Sequence, residues 1–277
     1  MHMKKIEIIA EIGWNHMGDS SLAKEMIEAA KTSGADIVKF QFWNPTYLKV
    51  GPWDKDGRRE IYNKAALNEE KVLELKELSE NASCKFLISV FGTIGAKTIS
   101  ELGIKNIKIP SHETTNKKLI EYCSTHFDFI YFSAGASKSK DVNDACSILK
   151  NGNAEFNLMH CVSSYPVNDE NANLNRINWL RTLHDHVGYS DHTQSTLIPA
   201  LAVINGATVI EKHFTIDKEL PGRDNKFALD HNEFAIMSKN ICDASKSIID
   251  RGIEFQDIES DTVENYRGRW EPQDYEN

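Results

Sequence analysis

The sequence predicts an α/β protein, and more narrowly a single-domain (β/α)₈ TIM barrel. Short β-branched or aromatic runs alternate with helix-length amphipathic segments eight times along the chain. The chain has 277 residues, and a closed barrel of this kind uses about 250. The first predicted strand is not followed by GxGxxG, since residues 11–18 read EIGWNHMG. An open dinucleotide-binding sheet is therefore disfavoured.

Eight runs of β-forming residues are the predicted strands. They are residues 6–12, 36–41, 85–91, 106–110, 127–133, 155–161, 186–190 and 208–214. Strands that alternate with helices pair in parallel through right-handed crossovers, so their carboxyl ends meet at one mouth of the barrel. The segments 43–60 and 217–227 follow strands and break the rhythm. We expect both to be long loops at that mouth.

Two helical segments illustrate the pattern. Ser20 and Ser21 are the predicted caps of the first helix, and Gly34 is its stop. The residues expected to face the core in this helix are Leu22, Met26, Ile27 and Ala30. In segment 68–81 they are Val72, Leu73, Leu75 and Leu78.

Composition excludes several classes of protein. The formal net charge is −9, which argues against general nucleic-acid binding. No apolar run reaches the ~20 residues of a membrane span, and the amino terminus does not resemble a signal peptide. The five cysteines form no CxxC or CxH pair, so we expect free thiols and a cytoplasmic protein. We assign residues 1–252 to the barrel and 253–277 to an irregular tail without a second domain.

Polar side chains collect at the predicted carboxyl end of nearly every strand. They are Glu11, Lys39, Gln41, Ser89, Lys108, Ser111, Glu113, Ser133, Ser163, Tyr165, Ser190, Asp191, His192, Glu211 and His213. Random placement would scatter them over both strand ends. Because barrel enzymes place their active sites at the carboxyl face, this distribution predicts a functional site.

Lys39 and Lys108 are the most informative of these residues. A lysine inside an apolar strand is costly to bury unless an internal salt bridge or a bound anion accompanies it. Two such lysines at strand ends beside hydroxyl residues favour a site for a phosphate or a carboxylate.

His192 and His213 follow predicted neighbouring strands. Such strands lie about 4.8 Å apart, so the two imidazoles can share one divalent ion. Nitrogen ligands favour Mn²⁺, Fe²⁺ or Co²⁺ over Ca²⁺. The spacing also allows two histidines that are satisfied without a metal. Asp191, Glu211 and Glu11 are the carboxylates available as further ligands, orienting groups or general bases.

Other residues have weaker interpretations. His160 lies in an apolar strand and is expected to be a hydrogen-bonded core residue. Trp14, Trp43 and Trp53 suit either stacking on a sugar or anchoring of loops, and anchoring is favoured. The sequence has no GxSxG elbow, so acyl transfer is not indicated.

Six stretches resemble the barrel domain of the sialic acid synthase family. They are IAEIGWNH (9–16), VKFQ (38–41), KIPSHE (108–113), HCVSSYP (160–166), GYSDH (188–192) and VIEKHFT (209–215). The resemblance runs in unbroken order from about residue 5 to about residue 250 and implies a metal-dependent enzyme. Members of the family condense phosphoenolpyruvate with an N-acetylated hexosamine aldehyde, which gives a nonulosonic acid such as sialic, legionaminic or pseudaminic acid.

The resemblance also implies roles for individual residues. His192 and His213 would bind the metal, Mn²⁺ first and Mg²⁺ or Co²⁺ as alternatives, and Glu11 would lie beside the reacting atoms. The residues implied to hold phosphoenolpyruvate are Lys39, Ser89, Lys108, Ser111, Ser133, Ser163 and Ser190. Those implied to contact the sugar are Gln41, Glu113, Tyr165 and Asp224.

Three departures from the family pattern matter. Usual members carry an antifreeze-like domain whose arginine reaches the sugar across a dimer, and this sequence ends where that domain would begin. A homo-oligomer and a separate polypeptide that supplies the domain both stay open. The loop 220–226 reads LPGRDNK, and we expect Arg223 to supply the missing positive charge. Val90 and Phe91 stand where Thr-Pro is usual, which could reshape the phosphate contact.

Two other functions stay open at this point. Condensation with a phosphorylated aldose, as in Kdo-8-phosphate or deoxyheptulosonate synthases, would need a second cationic pocket from Arg223, Lys226 or the 43–59 loop. A non-catalytic barrel that serves as a binding partner is disfavoured by the intact set of ionisable residues.

Overall fold

The computed structural model describes residues 5–270, and its eight strands form a closed parallel barrel in the order β1 to β8. The strands are β1 Glu7–Gly13, β2 Ile37–Phe42, β3 Lys85–Val90, β4 Asn106–Ile109, β5 Phe129–Ser133, β6 Glu155–Cys161, β7 Val187–Asp191 and β8 Val209–His213. No bound differs from the sequence prediction by more than two residues. The predicted barrel is confirmed.

One helix follows each strand and packs on the outside of the barrel. The eight are α1 Ser20–Thr32, α3 Glu69–Asn81, α4 Gly92–Glu101, α5 Lys117–His126, α6 Ser139–Asn151, α7 Asn175–Leu183, α8 Ile198–Ile204 and α9 His231–Ser247. Two further helices were not predicted, α2 Arg58–Ala65 after the second strand and α10 Ser260–Asn265 in the tail. The prediction of an irregular tail is therefore wrong for α10, and residues 271–277 lie outside the described part of the chain.

The helix predictions need two corrections. Asp19, rather than Ser20 or Ser21, caps α1, because its carboxylate accepts hydrogen bonds from the backbone N–H of Ser21 and of Leu22. Leu73 is exposed on α3. It lies about 100° around the helix from the buried Val72, which turns it away from the barrel.

The core has two layers. The larger layer lies between the strands and the helices, and inside the barrel a smaller apolar cluster forms a floor. This floor consists of Ile9, Ile37, Leu87, Tyr131, Met159 and Val209. The predicted site residues that the strands carry at their carboxyl ends lie above it. The interior is thus closed at the amino-terminal end and polar at the mouth.

Strand register brings distant residues together at the mouth. Glu11 on β1 pairs with Lys39 on β2 and with His213 on β8. Between β7 and β8, Ser190 pairs with Glu211 and Asp191 with Lys212. Since side chains alternate along a strand, Ser190 and Glu211 face the interior while Asp191 and Lys212 face the helices.

Two predictions from composition can be compared with the structure. All five cysteines are free, and four are buried while Cys242 is exposed. Within residues 5–270, no helix has the length and apolar character needed to cross a bilayer.

Gly188 on β7 gives a stability test of the inner packing. An added Cβ would lie 2.6 Å from Asn157 Oδ1 and 2.9 Å from the Val209 carbonyl oxygen. We expect Gly188→Ala to lower the free energy of unfolding by about 1–3 kcal/mol, as overpacking does. Gly95→Ala is the control, because its Cβ would meet Phe42 at an ordinary 3.5 Å, and it should stabilise by about 0.4–1 kcal/mol. Urea unfolding measures both, and equal stabilities of the two variants would contradict the packing.

Candidate active site

A cavity of about 1640 Å³ opens at the carboxyl ends of the strands. It is lined by the predicted site residues except Ser163 and Asp191. Ser163 is exposed, and its hydroxyl forms a 2.7 Å hydrogen bond with the Ser111 hydroxyl. The structure therefore brings the other predicted residues together at one mouth, with Ser163 behind the lining.

Lys39 is buried beside two carboxylates. Its Nζ lies 2.8 Å from Glu11 Oε2 and 3.7 Å from Glu211 Oε2. It also donates a 2.9 Å hydrogen bond to Ser89 Oγ. Lys39 therefore has the internal salt bridge that a buried lysine requires.

Lys108 shares the same carboxylate. Its Nζ lies 2.7 Å from Glu211 Oε2, while Glu211 Oε1 accepts a 2.8 Å hydrogen bond from Ser190 Oγ. Glu211 therefore bridges both lysines. Sequence reasoning left its role open among several carboxylates, although its place two residues before His213 put it on the inner face.

Burial and ion pairing shift the pKa values of these groups in different directions. Burial would raise the pKa of Glu211, but Lys108 and Lys39 hold it well below its ordinary value. Burial raises the pKa of Glu11, and Lys39 offsets this only in part. Burial lowers the pKa of Lys108, whereas Glu11 and Glu211 outweigh burial at Lys39 and raise its pKa. Lys39 and Glu211 are thus held in their charged forms.

Serine hydroxyls surround the lysines. Four of them are buried at the mouth: Ser89, Ser111, Ser133 and Ser190. The Ser133 hydroxyl has no hydrogen-bond partner among the described residues. An unsatisfied buried hydroxyl is costly, so this donor suits an additional acceptor in the cavity.

His192 and His213 lie side by side, with ring centroids 5.5 Å apart. His192 Nδ1 bonds to the Val162 carbonyl oxygen at 2.8 Å, which leaves Nε2 as the free lone pair. His213 Nδ1 has no hydrogen-bond partner within residues 5–270, and burial, helped by His192, holds the pKa of His213 well below its usual range. A neutral imidazole with a free nitrogen, as at His213, is the form that binds metal ions. At His192 burial lowers the pKa, but Cys161 and the Val162 carbonyl outweigh burial and raise it.

This donor set fits a cation that keeps open coordination positions. Within residues 5–270, no group of three His, Cys, Asp or Glu side chains gathers as a ready metal cage. Asp191 is not available in the cavity, because it faces outward and forms an ion pair with Lys212. The structure thus offers two imidazole ligands and leaves the other positions to substrate or water.

The residues implied to contact the sugar lie on β2 or in the loops after β4, β6 and β8, so they are spread around the mouth of the barrel. Gln41 donates a hydrogen bond to Glu11, and Glu113 accepts one from Asn116. Tyr165 packs on His192 with ring centroids 4.1 Å apart. Arg223 is exposed at the rim.

Asp224 is nearly buried and accepts a hydrogen bond from the Trp14 indole N–H. Burial raises the pKa of Asp224 to about 7, and the bond from Trp14 opposes this only in part. The link joins β1 to the loop after β8.

An aromatic cluster also lines the cavity. Trp14 and Trp43 meet edge to face at 4.9 Å, and Tyr62 of α2 stacks on Trp14 at 5.0 Å. Trp53 is held apart, since its indole N–H bonds to the Lys49 carbonyl oxygen. Sequence reasoning missed Tyr62, because nothing in the local pattern connects α2 with β1.

His160 is buried, and its Nε2 bonds to the Ala172 carbonyl oxygen at 2.8 Å. This is the hydrogen-bonded core position that the sequence predicts.

Comparison with known proteins identifies relatives of the whole barrel. The model described as "NeuB family" matches residues 26–252. An N,N'-diacetyllegionaminic acid synthase of Legionella pneumophila is 38% identical over 257 residues, which are 86% of this chain and 71% of the relative. A pseudaminic acid synthase of Helicobacter pylori is 34% identical, over 94% of this chain and 80% of the relative.

A solved structure is similar over nearly the same range. The N-acetylneuraminic acid synthetase of Leptospira borgpetersenii superimposes with a TM-score of 0.84 at 32% identity, covering 94% of this chain and 90% of that one. The likeness extends over the strands that carry the candidate site.

Lys108→Met tests the buried ion pairs. Removing one partner of a buried pair costs about 3–5 kcal/mol. Because ion pairing holds the pKa of Glu211 below its unfolded value, this stability is present at neutral pH and is lost as the pH falls. We expect the stability difference from wild type to be constant between about pH 7 and 5 and to narrow below that range.

Urea unfolding across this pH range measures the effect. Lys85→Met is the control, since Lys85 forms an exposed pair with Glu7 and should cost about 0–1 kcal/mol. Equal losses in the two variants would contradict the burial argument.

Proposed function

The chain belongs to the NeuB family, and we propose that it condenses phosphoenolpyruvate with an acylamino sugar aldehyde to give a nonulosonic acid and phosphate. The observation that carries the proposal is the convergence of two buried ammonium groups and two imidazoles on one cavity. The named relatives are synthases of such acids.

Phosphoenolpyruvate has a phosphate and a carboxylate, and the inner side of the cavity suits both. Lys39 and Lys108 provide the positive charge. The hydroxyls proposed to complete the pocket are Ser89, Ser111, Ser133, Ser163 and Ser190. All but Ser163 are buried, which makes their hydrogen bonds to an anion stronger than they would be in water.

His192 and His213 are the proposed ligands of a divalent cation, Mn²⁺ first and Mg²⁺ or Co²⁺ as alternatives. The balance of charges around the cavity supports a bound cation beside these histidines. Glu11 and Glu211 already neutralise the two lysines, so a trianionic substrate requires further positive charge. When bound, such an ion supplies Lewis-acid stabilisation of an aldehyde oxygen.

The sugar is proposed to contact Gln41, Glu113, Tyr165 and Asp224. These side chains offer amide, carboxylate and hydroxyl groups to the hydroxyl and acylamino groups of the sugar. Arg223 at the rim is proposed to add a positive charge. Relatives that make legionaminic and pseudaminic acid differ in their sugar, so we propose the acylamino class rather than one compound.

The proposed reaction has three steps, and each residue role follows from one of them. C3 of phosphoenolpyruvate attacks the aldehyde carbon, water adds at C2, and the C–O bond breaks to release phosphate. Glu11 is the proposed base for the water, because burial raises its pKa and makes its carboxylate a stronger proton acceptor. Lys39 and Lys108 hold the phosphate while charge develops on it.

Condensation with a phosphorylated aldose is the less favoured reaction. It would need a second cationic pocket, yet Arg58 and Arg59 are paired with Asp56 and Asp54. Lys226 lies outside the cavity lining. The exposed Arg223 and Lys49 would be left to bind the sugar phosphate.

The proposal also includes a cellular location and an oligomeric state or partner chain. We propose a cytoplasmic location, since phosphoenolpyruvate is made and used there. A homo-oligomer, or a separate polypeptide beside the barrel, is the proposed source of any further sugar contact.

A phosphate-release screen tests the reaction. We expect release from phosphoenolpyruvate with an acylamino sugar such as N-acetylmannosamine or a 2,4-diacetamido hexose, and none with arabinose 5-phosphate. Chelation should abolish the release, Mn²⁺ should restore it, and His192→Ala should stay inactive. Release with arabinose 5-phosphate alone would overturn the choice of substrate. No release with any sugar would favour the non-catalytic barrel.

Arg223→Ala tests the rim charge. We expect the KM for the sugar to rise about tenfold, the size of one charge-assisted hydrogen bond, with the KM for phosphoenolpyruvate unchanged. Lys226→Ala is the matched control, because Lys226 is exposed in the same loop but does not line the cavity. Unchanged steady-state kinetics in the Arg223 variant would show that the charge is not used.

A further inference from the structure

An ion pair lies on the outer face of the barrel directly behind the two histidines. Lys212 Nζ lies 2.5 Å from Asp191 Oδ2, and each side chain is at most 1% exposed. The two residues are register partners on β8 and β7. They immediately precede His213 and His192 in the sequence.

The outer layer is apolar at the carboxyl ends of the first five strands. The buried outward residues there are Ile12, Phe42, Val90, Ile109 and Phe132. A buried ion pair adds little stability compared with apolar residues of similar size. The charged pair therefore calls for an explanation other than stability.

Lys212 reaches beyond the pair to the loop that follows β7. Its ammonium group donates hydrogen bonds to the Thr193 carbonyl oxygen and to the Ser195 carbonyl oxygen, the latter at 3.2 Å. Asp191 in turn accepts hydrogen bonds from the backbone N–H and the hydroxyl of Thr193, at 2.9 and 3.0 Å. His192 lies between two residues that these bonds hold.

The network continues along β7. The Tyr189 hydroxyl donates a 2.9 Å hydrogen bond to Asp191 Oδ1, so both carboxylate oxygens are satisfied. Tyr189 stacks on His160, which bonds to the loop after β6. The pair is thus the centre of a connected, fully buried polar network.

We propose that Asp191 and Lys212 form an outer clamp that positions His192 and His213 to share one divalent cation. Lys212 fixes the backbone after β7 to β8, so the two imidazoles keep a constant separation across the strand pair. Such supporting partners commonly change metal affinity about 10–100-fold. The inference rests on the proposed metal site and assigns positioning residues to it.

Titration of the chain with Mn²⁺ alone, by calorimetry, tests the clamp. The double variant Asp191→Asn with Lys212→Met removes both charges and keeps an acceptor for Tyr189. We expect it to fold and to bind Mn²⁺ at least tenfold more weakly than wild type. The matched control is Lys218→Met with Glu233→Gln, because this 2.6 Å pair lies between the loop after β8 and α9.

The possible results of the titration distinguish failure of the clamp from failure of the proposed metal site. Equal Mn²⁺ affinity in the double variant and wild type would overturn the clamp and leave the metal site standing. Wild type that binds no Mn²⁺ would overturn the metal site and the clamp together. If the Lys218→Met with Glu233→Gln variant lost Mn²⁺ affinity to the same extent, the effect would not be specific to Asp191 and Lys212, and the clamp would be overturned.

A single substitution tests the clamp even if the double variant does not fold. Thr193→Val is similar in shape and removes the hydroxyl bonds to Asp191, to Lys212 and to the Ser195 backbone N–H. We expect it to keep the melting temperature within a few degrees and to weaken Mn²⁺ binding about threefold, the scale of a single hydrogen bond. Unchanged affinity in a folded Thr193 variant would overturn the proposal.

Discussion

Two ammonium groups buried inside the barrel are the constraint on which the site depends. A buried charge needs a partner, and Lys39 and Lys108 find theirs in Glu11 and Glu211. The charges of these four side chains sum to zero, so they give the interior no net charge. A highly charged anion that enters this neutral pocket must bring or find positive charge, which gives the histidine pair and Arg223 a physical reason to lie nearby.

Because side chains alternate along β7 and β8, the two faces of this strand pair have different roles. On the inner face, Ser190 and Glu211 meet the lysines. On the outer face, one residue further along, Asp191 and Lys212 meet the helix layer and the loop after β7. The same strand pair thereby carries polar residues that line the cavity and residues that hold the segment after β7 in place.

Much of this architecture could be predicted because it is local and periodic. Strand bounds follow from short β-forming runs, and the parallel topology places Lys39 and His213 at one mouth although they are distant in sequence. Contacts that depend on tertiary packing could not be predicted. Examples are the indole bond from Trp14 to Asp224, the stacking of Tyr62, and the sharing of Glu211 between two lysines. Ser163 shows the same limit, since one loop residue can turn either toward the cavity or behind it.

The most direct measurement is a crystal structure of the chain with phosphoenolpyruvate and Mn²⁺, with the metal located by its anomalous signal. The account predicts a phosphate or carboxylate group within about 3 Å of Lys39 Nζ and of Lys108 Nζ. It also predicts an anomalous peak at about 2.1–2.3 Å from one nitrogen of His192 and one of His213. A phosphoenolpyruvate molecule bound away from the two lysines, or a metal bound by other residues, would contradict it.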